Sequence, residues 1–270
     1  MLTKNPLNIP TRGEFDGLRT ALLYPGTNHN AIFRGKYLGT FTKAEFDAFL
    51  VEHKVSSGVF EDLYLGDYFV IQDGTYNVEW MIAGFDCGIN SGDTAFTAHS
   101  LALIPRGPGF LYGTPMNSTN TTAGGYAGSE MHALLNGTVY NNLKNGFGDH
   151  ILKRRVLLTN SVNTSAVSPG CTEWTGCANG WAWYDSYVTL MTEIQVYGST
   201  VWCGGYDTGE GYEKLPVFNF ISPVEYSRGY FWLRGVASSA NFASVGAHGG
   251  AACYGASSLW LHVRPLIFVG

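Results

Sequence analysis

Six carboxylates stand in two groups whose residue types could do acid–base chemistry: Glu61, Asp62 and Asp67, and Asp207, Glu210 and Glu213. Two carboxyl groups flanking a glycosidic bond are what a glycosidase uses, one protonating the leaving oxygen and the other acting as base or nucleophile. Spacing as loose as this also describes solvated faces and turn caps, and that is the reading taken for both groups. The seven histidines have no partner spacing, and His99 and His132 read as structural residues. Five cysteines, Cys87, Cys171, Cys177, Cys203 and Cys253, form no C-x-x-C pair and have no histidine at zinc-ligand spacing. They read as reduced thiols, with Cys171 and Cys177 the pair close enough to bridge under oxidising conditions. No G-x-S-x-G, H-E-x-x-H or phosphate-binding glycine loop occurs. The sequence therefore predicts no catalytic residue, no metal site and no cofactor.

The elements that would position any site are short. Thr42 caps a predicted helix to about Lys54, with Phe46, Phe49 and Leu50 on its apolar stripe. The stretch Val55-Ser56-Ser57-Gly58 reads as a linker, which makes residues 1–57 an attachment or oligomerisation module and 58–270 the main domain. Tyr68–Ile71, the Asp73-Gly74 turn and the alternating Tyr76, Val78, Trp80 and Ile82 predict a hairpin. Further strands are expected at Leu101–Ile104 and Leu266–Val269. A helical region is expected over Ser129–Lys144, with Met131, Leu134 and Leu135 inward and a break at Gly137, and a clear helix over Ser186–Tyr197, ended by Gly198. The fold class is α+β: two helices, short antiparallel strands, and many ordered loops fixed by aromatic packing.

With 45% hydrophobic and 14% charged residues the chain folds rather than staying disordered. Its net charge of -5, with sixteen Lys and Arg dispersed, leaves no phosphate-backbone footprint, so nucleic acid is not an expected partner. No apolar run approaches the ~20 residues of a membrane helix, and Met1–Phe15 lacks secretory-signal features. Synthesis in a cytoplasm without membrane insertion is the expectation. The glycosylation-type triplets at Asn117, Asn120, Asn136 and Asn163 carry no meaning there.

The C-terminal forty residues differ from the rest. Between Gly235 and Ser258 there is no Lys, Arg, Asp, Glu, Gln, Met or Trp, and Ala, Ser and Gly dominate. A frame encloses this segment: Trp232, Leu233 and Arg234 on one side, Val263, Arg264 and Pro265 on the other. Small residues on exposed loops are nearly free to substitute, whereas core changes typically cost about 1–3 kcal/mol. The segment reads as a surface permitted to change. Trp232 and Leu233 read as core, and the arginines as forked donors to loop carbonyls or carboxylates.

Several motifs carry a resemblance. Phe33–Thr40 (FRGKYLGT), Phe60–Tyr68 (FEDLYLGDY), Met116–Thr122 (MNSTNTT), Gly180–Ser186 (GWAWYDS) and the Trp-Leu-Arg … Val-Arg-Pro frame together resemble phage and prophage structural proteins of Gram-positive bacteria that serve as variable proteins of diversity-generating retroelements. The resemblance runs over nearly the whole chain. It implies a C-type-lectin-like C-terminal domain and a virion ligand-binding protein, on the tail or surface, that presents a hypervariable face at about 235–262 to a bacterial cell-surface receptor, protein or glycan. It also implies other virion proteins as partners and a homo-oligomer. A decoration protein without receptor contact is the alternative, and an enzyme acting on cell-wall glycans a more distant one. In such systems adenines of the template are miscopied, so AAC codons never yield Lys, Glu, Gln, Met or Trp, as 235–258 obeys.

The family pattern implies that Asn241, Ser244, Gly246, Ala247, His248, Gly250, Ala252, Cys253, Tyr254 and Ser258 form the variable, ligand-binding face. Phe242, Val245, Gly249 and Ala251 are frame, and so is Trp260, which such a codon cannot supply. His262 stands where the family usually has glycine, which leaves the register across 255–262 open. Formylglycine-generating enzymes share the lectin-like fold, but Cys253 lies among variable positions, and the calcium-binding triplets of sugar-binding lectins are missing.

Overall fold

In a computed structural model of the chain, residues 32–163, 177–201, 214–226 and 228–270 are described, those at 158–163 and 177–181 as backbone only. The architecture is α+β, mostly sheet with a few short helices. A six-stranded sheet has the order β1-β2-β3-β4-β13-β8, formed by Tyr37–Phe41 (β1), Tyr68–Ile71 (β2), Glu79–Phe85 (β3), Leu101–Pro105 (β4), Pro265–Val269 (β13) and Val188–Leu190 (β8). A five-stranded sheet has the order β11-β10-β9-β12-β5: Ala251–Gly255, Asn241–Val245, Phe231–Val236, His262–Val263 and Leu111–Tyr112. Arg154–Asn163 (β6) and Cys177–Ser186 (β7) form a separate antiparallel ribbon.

The near-continuous apolar runs of β3, β4 and β13 are buried on both faces, as unalternated strands must be. Their two faces feed two cores. Ile82, Leu101, Leu103 and Ile267 join the first core, while Met81, Ala102, Ile104 and Leu266 join the second. β9 and β10 are divided the same way: Trp232, Val236 and Phe242 point into the first core, Phe231, Leu233, Ala243 and Val245 into the second.

The helix expected after Thr42 spans Lys43–Glu52 (α1), closed by a capping box with Glu45, and buries Phe46, Phe49 and Leu50. Those three side chains corrects the expected module boundary at 57, because they pack into the first core with Phe69 and Phe147, and β1 pairs in parallel with β2. Residues 37–57 therefore share one core with the described residues that follow them. Val55–Ser57 is a 3-10 turn with Val55 buried, not a linker.

The predicted helix over Ser186–Tyr197 is corrected. Val188–Leu190 instead pairs with β13, and only Glu193–Tyr197 (α4) is helical, ending at Gly198 in the left-handed region. Two local causes decide this. Thr192 and Gln195 form a capping box that starts the helix late. Asn136 pins the preceding turn, its Oδ1 accepting from Tyr187 N at 2.8 Å and its Nδ2 donating to Val188 O at 3.0 Å. The other helical region runs as Glu130–Leu134 (α2), a π turn at Leu135–Val139 and Tyr140–Phe147 (α3), so Gly137 sits in a bulge rather than a break. The hairpin forms with β2 and β3 antiparallel, but Asp73 organises a longer connection, its Oδ1 accepting from the amides of Thr75, Tyr76 and Asn77. Tyr76 and Val78 thus lie before the strand. Among the described residues no helix is long and apolar enough to cross a membrane.

Candidate functional site

The segment from Gly235 to Ser258 folds as the outer hairpin of the five-stranded sheet. β10 pairs with β11 in full register from Asn241↔Gly255 to Val245↔Ala251, and β9 lies on the inner side of β10. The tip closes through Gly249 N to Gly246 O at 2.8 Å and Gly246 N to Gly250 O at 2.7 Å. Gly249 has φ +85°, and a Cβ there would lie 3.0 Å from Ser222 Oγ, so only glycine fits without strain.

A loop holds the hairpin through its main chain. Thr122 donates from its amide to Ser239 O and from Oγ1 to Ser238 O, and Asn117 N donates to Ala256 O. Asn117 in turn braces the loop, Nδ2 donating to Thr121 O at 2.7 Å. A Cβ at Gly255 would meet Asn120 Oδ1 at 2.5 Å. The Met116–Thr122 motif is thus a clamp, and almost all of its grip is on carbonyls and amides that every residue type possesses. Asn and Thr suit this because their short side chains bond to nearby backbone.

The frame residues are buried. Trp232 donates from Nε1 to Thr114 O at 3.0 Å, and Leu233, Val263 and Pro265 are enclosed. Arg234 reaches Thr189 Oγ1 and its amide donates to Met191 O. Arg264 donates from Nε to Pro105 O at 2.9 Å and from Nη1 to Pro223 O at 2.6 Å, beside the rings of Phe218 and Phe231. Burial pushes its guanidinium down to about 9, so it stays cationic at neutral pH.

The ten expected variable positions do not form one face. Ser244 is wholly buried opposite Trp232, with no partner for its hydroxyl, and this corrects its assignment to the ligand-binding face. The strand alternation that puts Phe242 into the core puts Ser244 there too. Ala252 and Tyr254 lie on the same side of β11 but are half-buried, because β11 is the last strand of this sheet. Asn241 and Cys253 share the opposite side. Burial pushes the Cys253 thiol up, against a hydrogen bond from Asn241, so it is not an activated thiolate. Gly246, Ala247, His248 and Gly250 form the tip, and Ser258 lies in the turn after β11, its amide donating to Gly255 O.

Two surface features adjoin these positions. Tyr230, Tyr254 and Trp260 meet edge to face, with ring centroids 4.3–5.7 Å apart. Trp260 is 39% exposed and Leu259 62%, so this part of the frame is surface, while Ala256 and Leu261 are buried. His262 is half-buried against the Tyr112 ring at 4.7 Å, and burial lowers its basicity. The second feature is a cavity of about 530 Å³ at the hairpin tip, between Ala247 and His248 on one side and Ser222, Val224, Glu225, Tyr226 and Arg228 on the other. No sequence motif singled out that second wall.

Of the two carboxylate groups, Glu61, Asp62 and Asp67 are engaged by neighbouring cations and amides. Asp67 is buried and accepts from Arg34 Nη2 at 2.6 Å, Lys36 N and Tyr64 N. Asp62 also pairs with Arg34, and Glu61 with Lys54. Asp207, Glu210, Glu213, Cys171 and Cys203 lie outside the described residues, and Cys177 is described as backbone only. His99 contacts Asp86 at 2.8 Å. Among the described residues no group of His, Cys, Asp or Glu is placed to hold a metal ion. Comparison with family profiles, curated proteins and solved structures finds no match.

Proposed function

We propose that this chain is a ligand-binding protein of a phage virion. A C-type-lectin-like domain presents the β10–β11 hairpin and the turn after it to a receptor on a bacterial surface, and no catalysis is involved. The observation that carries this reading is the separation of support from display. The hairpin is held by hydrogen bonds from Asn117 and Thr122 to its main-chain carbonyls and by the buried Trp232, Arg234 and Arg264, whereas its tip and outer strand carry small or half-exposed side chains. The side chains of Asn241, Ala247, His248, Gly250, Ala252, Cys253, Tyr254 and Ser258 supply none of those hydrogen bonds.

The displayed side chains are mostly too small to anchor a partner alone, since interface energy concentrates in large aromatic and arginine residues. Trp260 and Tyr230 supply fixed aromatic surface beside them. Multivalent display on a particle would raise avidity by a factor of about 10² to 10⁴ where geometry allows. Sequencing isolates descended from one lysogen tests the reading: differences should be confined to the hairpin and the turn after it, and should spare Ser244, Gly249 and Gly255. A uniform segment, or changes spread evenly through the frame, would overturn it.

A further inference from the structure

The cavity at the hairpin tip joins Ala247 and His248 of the display surface to charged groups that the recognition-face reading does not use. Glu225 and Arg228 are both exposed, both line it, and neither makes an ion pair with any described residue. Ser222 and His248 add a hydroxyl and an imidazole, and Val224 and Tyr226 add an apolar wall. The wall is preorganised. Arg264 holds the Pro223 carbonyl, Ser222 Oγ accepts from Val224 N, and the Arg106 guanidinium stacks on Tyr226 at 4.2 Å while pairing with Glu79. At about 530 Å³ the space falls within the ~300–1,000 Å³ typical of small-ligand sites.

The lining selects the chemistry of its occupant. Arg228 offers only donors and Glu225 only acceptors. A phosphate or carboxylate ligand would meet Arg228 but be repelled by Glu225, and a simple cation would meet the reverse. A hydroxyl both donates and accepts, so adjacent hydroxyls on a neutral ring satisfy both groups at once, with the C–H face of the ring left for Val224 and Tyr226. We propose that this cavity is a saccharide subsite, gripped by Glu225 and Arg228 and trimmed by whatever residues stand at 247 and 248. Nothing in it calls for a metal ion. The proposal rests on the recognition-face reading only in making one wall variable; the other wall lies outside the diversified hairpin and gives every variant the same anchor.

The test is a titration of the full chain, followed by ligand-observed NMR, with the neutral sugars maltose, lactose and N,N′-diacetylchitobiose, and with inorganic phosphate and glycine as ionic controls. The expected result is saturable binding of at least one neutral disaccharide, weakened about tenfold or more in both Glu225→Gln and Arg228→Gln. Melting temperatures should be unchanged, because both residues are exposed. Saturation by none of the sugars at tens of millimolar, preference for phosphate or glycine, or sugar binding indifferent to both substitutions would overturn the proposal. A parallel host-cell binding assay separates it from the broader reading. Cell binding lost on shuffling the hairpin, in a chain that binds none of the sugars, sinks the subsite alone. Sugar binding by a chain that ignores host cells sinks the receptor role alone.

Discussion

Arg264 and Pro223 are joined by a 2.6 Å hydrogen bond from a fully buried guanidinium to a loop carbonyl, and through it the frame of the C-terminal hairpin holds the loop opposite its tip. The same side chain reaches Pro105 at the end of β4. One residue thus fastens the six-stranded sheet, the loop at 222–226 and the junction between β12 and β13.

Removing that fork should cost stability rather than binding chemistry. Arg264→Met leaves two carbonyls without their donor, at about 1–3 kcal/mol each, so urea unfolding should show a loss of roughly 2–6 kcal/mol. Arg264→Lys keeps the charge but cannot reproduce the fork, and should recover only part of it. A change within about 0.5 kcal/mol for both, the range of ordinary surface substitutions, would show that the fork is not structural.

Ser244 and Ala252 face each other across β10 and β11 but differ in burial. Ser244→Ala removes a buried hydroxyl that has no partner and should be neutral or stabilising. Ser244→Tyr overpacks the core and should cost about 1–3 kcal/mol or more, whereas Ala252→Tyr at the edge should cost less than about 1 kcal/mol. Thermal melts of the three variants decide whether position 244 is available for diversification.

Two adjacent glycines give a matched pair. Gly249 has φ +85° and sits against Ser222, while a Cβ at Gly250 meets nothing within 4 Å. Gly249→Ala should lose about 1–2 kcal/mol, the cost of a left-handed residue with a side chain. Gly250→Ala should be neutral or gain up to about 1 kcal/mol by restricting the unfolded chain. Equal effects in denaturant titrations would contradict the tip geometry.

Stability should fall on mild acidification. His132 lies against Tyr126 with its Nε2 buried and without a partner, and burial, helped by the Arg234 charge, lowers its basicity. The unfolded chain then binds the proton more readily than the folded one. The histidine's contribution is complete above its ordinary value near 6.5 and is lost as pH drops below that toward the folded value. Melting temperature should decline between about pH 7 and pH 5, and His132→Gln should flatten the decline relative to the parent. His262, also lowered by burial, adds to the same slope. An identical pH profile in His132→Gln would remove His132 from the account.

Much of the fold was legible because local signals and tertiary contacts agree. Thr42 with the Phe46, Phe49 and Leu50 stripe gave its helix, and the apolar runs of β4 and β13 gave buried strands. The helix expected over Ser186–Tyr197 rested on Tyr187, Leu190, Met191 and Ile194 lying on one face, and the pairing of Val188–Leu190 with β13, nearly eighty residues away, is invisible locally. The module boundary misled for a similar reason: Arg34 on one motif string meets Asp67 on the other, a long-range tie that joins the N-terminal elements to the main sheet. At the site, the frame was readable from Trp232, Arg234 and Arg264. The burial of Ser244 and the wall at 222–228 were not, since both depend on which strands neighbour the hairpin.

We propose that the hairpin displays changeable residues on a support that those changes do not disturb. The most direct measurement is host-cell binding by purified full-length protein in which Asn241, Ala247, His248, Gly250, Ala252, Cys253, Tyr254 and Ser258 are shuffled, read beside the melting temperature of each variant. Binding is expected to be lost or redirected to other strains while melting stays within a few degrees of the parent. Variants that unfold, or that bind the same cells as before, would contradict it.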